Sequence, residues 1–359
     1  MRRGYLDWLR GLAVLIMIEA HVLDSWTRFD ERGSSLYGWS MILGGMGAPL
    51  FLFLAGLSVS LSAGSKARRL QDDRAASRLV VMRGLQIFAL AFLFRLQALI
   101  VSWGSWWSLL KVDILNVMGP SIMAAALLWR AAGTVHGRAL VFAAAATGVA
   151  LLTPPVRGFE WLFVLPDPIE GYLRPRPGFT NFSLLPWTGF VFAGACVGVL
   201  LDRARTADAE QRTNLALAAG GVLVAALAYA GSYLPSFFAN SQFWTSSPTF
   251  FLIRSGVLVV AVPAAFVWGL RRRHWSPLEQ LGRTSLFIYW IHIELIYGLV
   301  VLPLHKSLTF PQAWLGVLVF SLLMLLCSLA KERVTASLPW RDRGVEPRTT
   351  RTTQKDGGR

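Results

Sequence analysis

An arginine, a histidine and an aspartate near the start of the chain have the types and spacing for proton transfer. Arg10 and His21 are eleven positions apart. In a helix at about 100° per residue they return to within roughly 20° of one face. The same spacing sets them about 16 Å apart along the axis, at ~1.5 Å per residue. Asp24, three residues further on, is placed to orient the imidazole as a carboxylate orients a histidine base. An imidazole titrates near neutrality, so it can take a proton from a hydroxyl or an amine. Spacing alone leaves a second reading open, in which His21 merely hydrogen-bonds a neighbouring helix.

The element that carries these residues has to sit in a membrane. Of the 359 residues 54% are apolar and only 15% charged, with a mean hydropathy of +0.50. Soluble domains carry about 25% charge, so the polar surface to cover several of them is missing. Ten stretches approach the ~20 apolar residues that a spanning helix needs. They run approximately 8–23, 39–63, 79–103, 113–129, 138–153, 183–201, 214–233, 249–270, 285–304 and 313–330. Helices satisfy every backbone group within hydrocarbon, so the fold class is all-α, a polytopic helical bundle. The first stretch carries Glu19 and His21 with no small-residue cleavage site after it, and reads as a retained span.

Lys and Arg sort onto alternate sides of these stretches. Sixteen fall on one side before the last span, and the residues after that span add eight more, against seven on the other side. That bias predicts a multi-pass protein of the cell membrane with both termini cytoplasmic. Residues 1–335 are expected to form the membrane domain, and 336–359 a basic, disordered cytoplasmic tail. The net charge of +15 is spread over these short segments and the tail, which argues against nucleic acid as a partner. Cys196 and Cys327 lie inside apolar runs and imply no disulfide framework. No two histidines share a helix at ligand spacing, so no metal site is expected.

Ionisable residues inside a span are functional candidates by default. Besides Arg10, Glu19 and His21 they are Arg83, Arg95, Asp113, Arg254, His292 and Glu294. Arg10, Arg95 and Asp113 lie near span ends and can snorkel. His292 and Glu294 point to nearly opposite faces, so at most one lines a shared cavity; His292, with Tyr289, is favoured. The segment Phe159–Phe182 is either a solvated loop or a roof over a cavity, where acidic and aromatic groups would hold a polar acceptor. Gly194 and Gly198 form a small-residue face that packs helices within the chain or between copies, which leaves a homodimer open.

Several stretches resemble a known family. The Arg10-to-His21 spacing matches the arginine–ten–histidine signature of the integral-membrane acyltransferases. Asp7-Trp-Leu-Arg10-Gly-Leu-Ala, followed by Met17 and His21, resembles the opening of the heparan-alpha-glucosaminide N-acetyltransferase catalytic domain family. In order along the chain, 47–56, Asp113-Ile-Leu-Asn116-Val-Met-Gly119, Ser183-Leu-Leu-Pro186-Trp187-Thr-Gly189 and 281–292 resemble its later spans. The resemblance implies transfer of an acyl group, acetyl above all, from cytoplasmic acyl-CoA to a sugar or glycan acceptor at the far face. It implies that His21 is the catalytic histidine, as general base or as transient acyl carrier, and that Arg10 helps bind the donor or shapes its tunnel. It makes Arg83, with Arg69, Arg74 and Arg78, a candidate partner for the CoA phosphates, while ordinary positive-inside bias accounts equally well for all of them but Arg83. Asn116, Trp187 and Tyr289 are candidate donors to the developing oxyanion. A transporter or exporter of a polar or lipid-linked substrate is the second function class, although no inverted repeat supports it.

Overall fold

A computed structural model describes residues 3–102, 105–238, 241–271 and 274–337. Among these residues every regular element is helical. α1 (Gly4–Trp26) is followed by α2 (Ser35–Gly44), α3 (Gly47–Leu70) and α4 (Asp73–Ser102). Next come α5 (Ile114–Ala131), α6 (Val135–Gly158) and the short α7 (Asp167–Leu173). α8 (Leu184–Arg203), α9 (Ala207–Gly231) and α10 (Pro248–Arg271) continue the bundle. It ends with α11 (Pro277–Arg283), α12 (Ser285–Tyr297) and α13 (Phe310–Ser337). Most of the basic tail, from residue 338, lies outside the described residues, as do Arg2, Arg272 and Arg273.

Among the described residues eight helical stretches are long and apolar enough to cross a membrane: Ser35–Leu70, α4, α5, α6, α8, α9, α10 and α13. The remaining two of the ten expected stretches differ in kind. α1 has the length, at 23 residues, but carries Asp7, Arg10, Glu19 and Asp24. α12 is apolar but only 13 residues long. Charges on α1 are tolerable because other helices sheathe it, not lipid. Leu6, Leu9, Ala13 and Met17 recur at helical spacing and pack into the large core with α3, α4, α5, α6, α8 and α10. Val14, Ile18 and Val22 make a second stripe, buried in a smaller core with α12 and α13. Between the two stripes, Arg10 and His21 share the face that the sequence predicts.

Glycine sets how closely the helices approach. A Cβ at Gly56 of α3 would lie 1.8 Å from the Val191 carbonyl oxygen on α8. One at Gly194 of α8 would lie 1.8 Å from the Phe53 oxygen, so the two backbones touch. The Gly194/Gly198 face is therefore used inside the chain, against Phe53, Leu57 and Ser60 of α3. Gly11 and Gly282 make the same reciprocal contact between α1 and α11, against the Leu278 and Asp7 carbonyl oxygens.

The segment between α6 and α8 roofs a cavity. A 3-10 turn at Glu160–Val164 leads into α7, and the strand-like stretch after it pairs with Val112. Val112 donates to the Phe179 carbonyl at 2.7 Å, and Asn181 donates to the Val112 carbonyl at 2.9 Å. Its acidic groups serve the roof itself. Arg174 donates to Glu170 at 2.6 Å, and Arg176 to Asp167 at 2.9 Å. Gly56→Ala is expected to lower the melting temperature in detergent, since forcing apart a packed contact costs about 1–3 kcal/mol. Gly148→Ala on α6, where a Cβ meets open space, should leave it unchanged or slightly raised. Equal effects of the two, read by intrinsic fluorescence, would contradict this packing.

Candidate active site

A cavity of about 1120 Å³ is enclosed by α1, α3, α4, α5, α12 and the roof segment. At one end, where α1 begins and α3 finishes, its wall carries Arg10, Ser58, Ser62, Lys66 and Arg83. Among the described residues neither Lys66 nor Arg83 has a carboxylate partner. Lys66 donates to Ser62 at 2.5 Å and Arg83 to Gln86 at 3.3 Å. Arg10 is held by Asp7 at 2.7 Å and by the Ser58 hydroxyl at 2.5 Å. The far end carries Arg95, Asp113, Thr180, Asn181, Trp187 and Tyr297. Arg95 and Asp113 form an ion pair at 2.8 Å that ties α4 to the start of α5. The middle is apolar, with Met17, Phe51, Leu54 and Ile87.

His21 meets the cavity towards the far end, and behind it sits His292. Their rings stack with centroids 5.2 Å apart, and Nδ1 of His21 lies 3.0 Å from Nε2 of His292. His292 is fully buried, with Nδ1 3.0 Å from the Ile288 carbonyl and 2.8 Å from the Tyr289 carbonyl. Carbonyl oxygens only accept, so Nδ1 of His292 carries its proton. In the neutral ring Nε2 then offers a lone pair, and His21 must donate to it from Nδ1. That assignment leaves Nε2 of His21 as the acceptor, with no hydrogen-bond partner among the described residues. A histidine so held presents a lone pair to whatever fills the cavity.

Asp24 is not the group that orients His21. The carboxylate sits at the C-terminal end of α1, where the helix dipole and free carbonyls attract cations. Arg32 and Lys306 gather there, 3.5 and 3.9 Å from Oδ1, and both donate to the Asp24 carbonyl. Tyr297 links the two regions indirectly, donating to Asp24 at 3.4 Å and setting its ring edge-on to His21 at 5.8 Å. Asn116 also lies off the cavity. Its Oδ1 accepts from the Asp113 backbone N–H at 3.1 Å, closing the cap of α5. Its amide donates to the Tyr172 hydroxyl at 3.2 Å, and burial pushes that phenol up from its ordinary pKa. Glu19 is buried against Gly44 and its carboxyl is without a hydrogen-bond partner among the described residues.

Arg83, Trp187 and Tyr289 do line the cavity, whereas Arg69, Arg74 and Arg78 do not. Neither the Tyr289 hydroxyl nor the Trp187 indole N–H has a partner among the described residues, so both are free to donate. Sequence reasoning missed Lys66, Ser58, Ser62, Thr180, Asn181 and Tyr297. Lys66 carried one signal, a cation at the end of a span, but loop cations share it.

Comparison with protein families gives the context for this arrangement. The family model described as heparan-alpha-glucosaminide N-acetyltransferase, catalytic, matches residues 2–238. The chain belongs to that family. It is accordingly a membrane protein of the acyltransferase type. Comparison with individual curated proteins finds no match. The acetyltransferase match covers α1 to α9, so it takes in Arg10, His21, Lys66, Arg83 and Trp187. α12, with Tyr289 and His292, lies beyond it.

These tautomers predict unequal reactivity of the two rings. Diethyl pyrocarbonate acylates an unprotonated, reachable imidazole nitrogen. His21 should be carbethoxylated well before His292, as read by mass spectrometry of proteolytic peptides. Modification of His292 first, or of both at one rate, would contradict the assignment.

Proposed function

We propose that the protein transfers an acetyl group from acetyl-CoA on the cytoplasmic side to a sugar-type acceptor at the outer face of the cell membrane. The observation that carries this reading is the free Nε2 of His21, facing a cavity with a cationic end and a separate polar end. Lys66 and Arg83 suit the CoA phosphates, which guanidinium and ammonium donors bind well. The apolar middle suits the pantetheine arm. The excess of Lys and Arg over the segments on the Lys66–Arg83 side supports a cytoplasmic placing of that end and of both termini.

The chemistry then follows from the ring geometry. The acceptor hydroxyl or amine gives its proton to Nε2 of His21 as its oxygen or nitrogen attacks the thioester carbonyl carbon. His292 accepts from the Nδ1–H of the resulting imidazolium, and its own proton stays on its Nδ1, donated to the Ile288 and Tyr289 carbonyls. The Tyr289 hydroxyl and the Trp187 indole N–H are the candidate donors to the oxyanion. Collapse breaks the C–S bond, and the thiolate leaves with the proton from Nε2. Products are the acetylated acceptor and free CoA.

His21→Ala should fold and bind acetyl-CoA yet lose about 10²–10⁴-fold in transfer rate, the usual worth of a positioned base. Arg83→Ala combined with Lys66→Ala should raise KM for acetyl-CoA more than it lowers kcat, because those groups bind the donor and stand away from the reacting atoms. Purified protein in detergent, acetyl-CoA and a panel of amino and neutral sugars provide the assay. Unchanged turnover in His21→Ala would move the chemistry elsewhere. A wild type that turns over no acyl-CoA would favour an exporter instead.

A further inference from the structure

A second chamber of about 480 Å³ adjoins the first and shares Gly45, Thr180, Asn181 and Trp187 with it. Two arginines line it, Arg157 from the end of α6 and Arg254 from the second turn of α10. Neither makes an ion pair among the described residues. Nε of Arg157 is buried with no hydrogen-bond partner. The Arg254 guanidinium stacks on Phe250 at 4.1 Å, and its Nη2 reaches towards Gly45, at the junction of the chambers. A guanidinium taken out of water without a counter-charge is costly, so two around one chamber call for an anion. The rest of the wall fits a ring. Trp187, Trp244 and Phe251 offer flat apolar faces, and Asn181 and Gln242 offer amides.

We infer that this chamber binds the acceptor and that the acceptor is an acidic sugar, with its carboxylate or phosphate on Arg157 and Arg254. The inference rests on the acetyl-transfer reading above. The ring stacks on the aromatic wall, and its reacting hydroxyl or amine passes Trp187 and Gly45 towards His21. Guanidinium forks match both kinds of anion, and a sugar carrying either supplies the counter-charge that the described residues do not give the two arginines. Trp187 thereby becomes the boundary residue, in contact with donor chamber and acceptor chamber alike.

The test compares glucosamine with glucosamine 6-phosphate, and glucose with glucuronate, as acceptors for the wild type, Arg157→Gln and Arg254→Gln. In the wild type, kcat/KM for the anionic member of at least one pair should exceed that of the neutral one. Each Arg→Gln change should cut that ratio by about 10- to 100-fold, the worth of one hydrogen bond to a charged group. Arg→Lys should restore part of it, which a merely structural role would not. Which pair shows the preference identifies phosphate or carboxylate. Calorimetric binding of the same anionic sugars, with no acetyl-CoA present, reads the chamber independently of catalysis. Transfer to neutral sugars with no anionic preference overturns this inference and leaves the acetyl-transfer reading standing. Binding of an anionic sugar that is lost in both Gln variants, without any turnover, supports the chamber and contradicts the transfer reading. No anionic sugar bound, or binding indifferent to both arginines, overturns the inference outright.

Discussion

The carbonyl oxygens of Ile288 and Tyr289 accept hydrogen bonds and never donate them, and the protonation pattern of the site descends from that. They fix the proton of His292 on Nδ1, which turns Nε2 towards His21 as an acceptor. His21 then has only one tautomer that satisfies both rings. Its free nitrogen faces the cavity. Among the described residues no carboxylate hydrogen-bonds either ring, and that has a physical advantage. A buried aspartate behind the histidine would bring a charge needing its own desolvation, whereas backbone dipoles are already in place.

Holding two ring nitrogens 3.0 Å apart on histidines 271 positions apart in sequence demands a rigid frame. Part of that frame is backbone contact at glycine. Gly11 and Gly282 lock α11 against α1, and α12 follows directly from α11 through Thr284. Beyond the imidazoles, Trp26 donates to the Ile296 carbonyl at 3.1 Å, and Lys306 donates to the Ser25 carbonyl at 3.0 Å through its backbone N–H. The end of α1 is thus tied to α12 and to the turn before α13. Asp24 belongs to this collar, gathering Arg32 and Lys306 at a helix C-terminus.

Periodicity made the bundle and the Arg10–His21 stripe legible, because both are properties of single helices. Asp24 shows the limit of the same reasoning. Helical spacing placed it near His21 but said nothing of the cations at positions 32 and 306 that compete for it. Asn116 fails likewise, its amide consumed by the cap of α5 and by Tyr172 from a distant segment. His292 was expected on the cavity wall and stands behind it, since the sequence does not tell which helix covers which. Lys66 and Asn181 line one cavity from separate elements, and convergence leaves no local pattern.

In the proposed reaction, donor and acceptor reach His21 from opposite faces of the membrane. Proteoliposomes with protein of one determined orientation test it directly, with acetyl-CoA on one side and an acceptor sealed on the other. Product should form when acetyl-CoA faces the Lys66–Arg83 end and the acceptor the Asn181 end, and not when the two are exchanged. Equal product with both substrates confined to either single face would contradict the account.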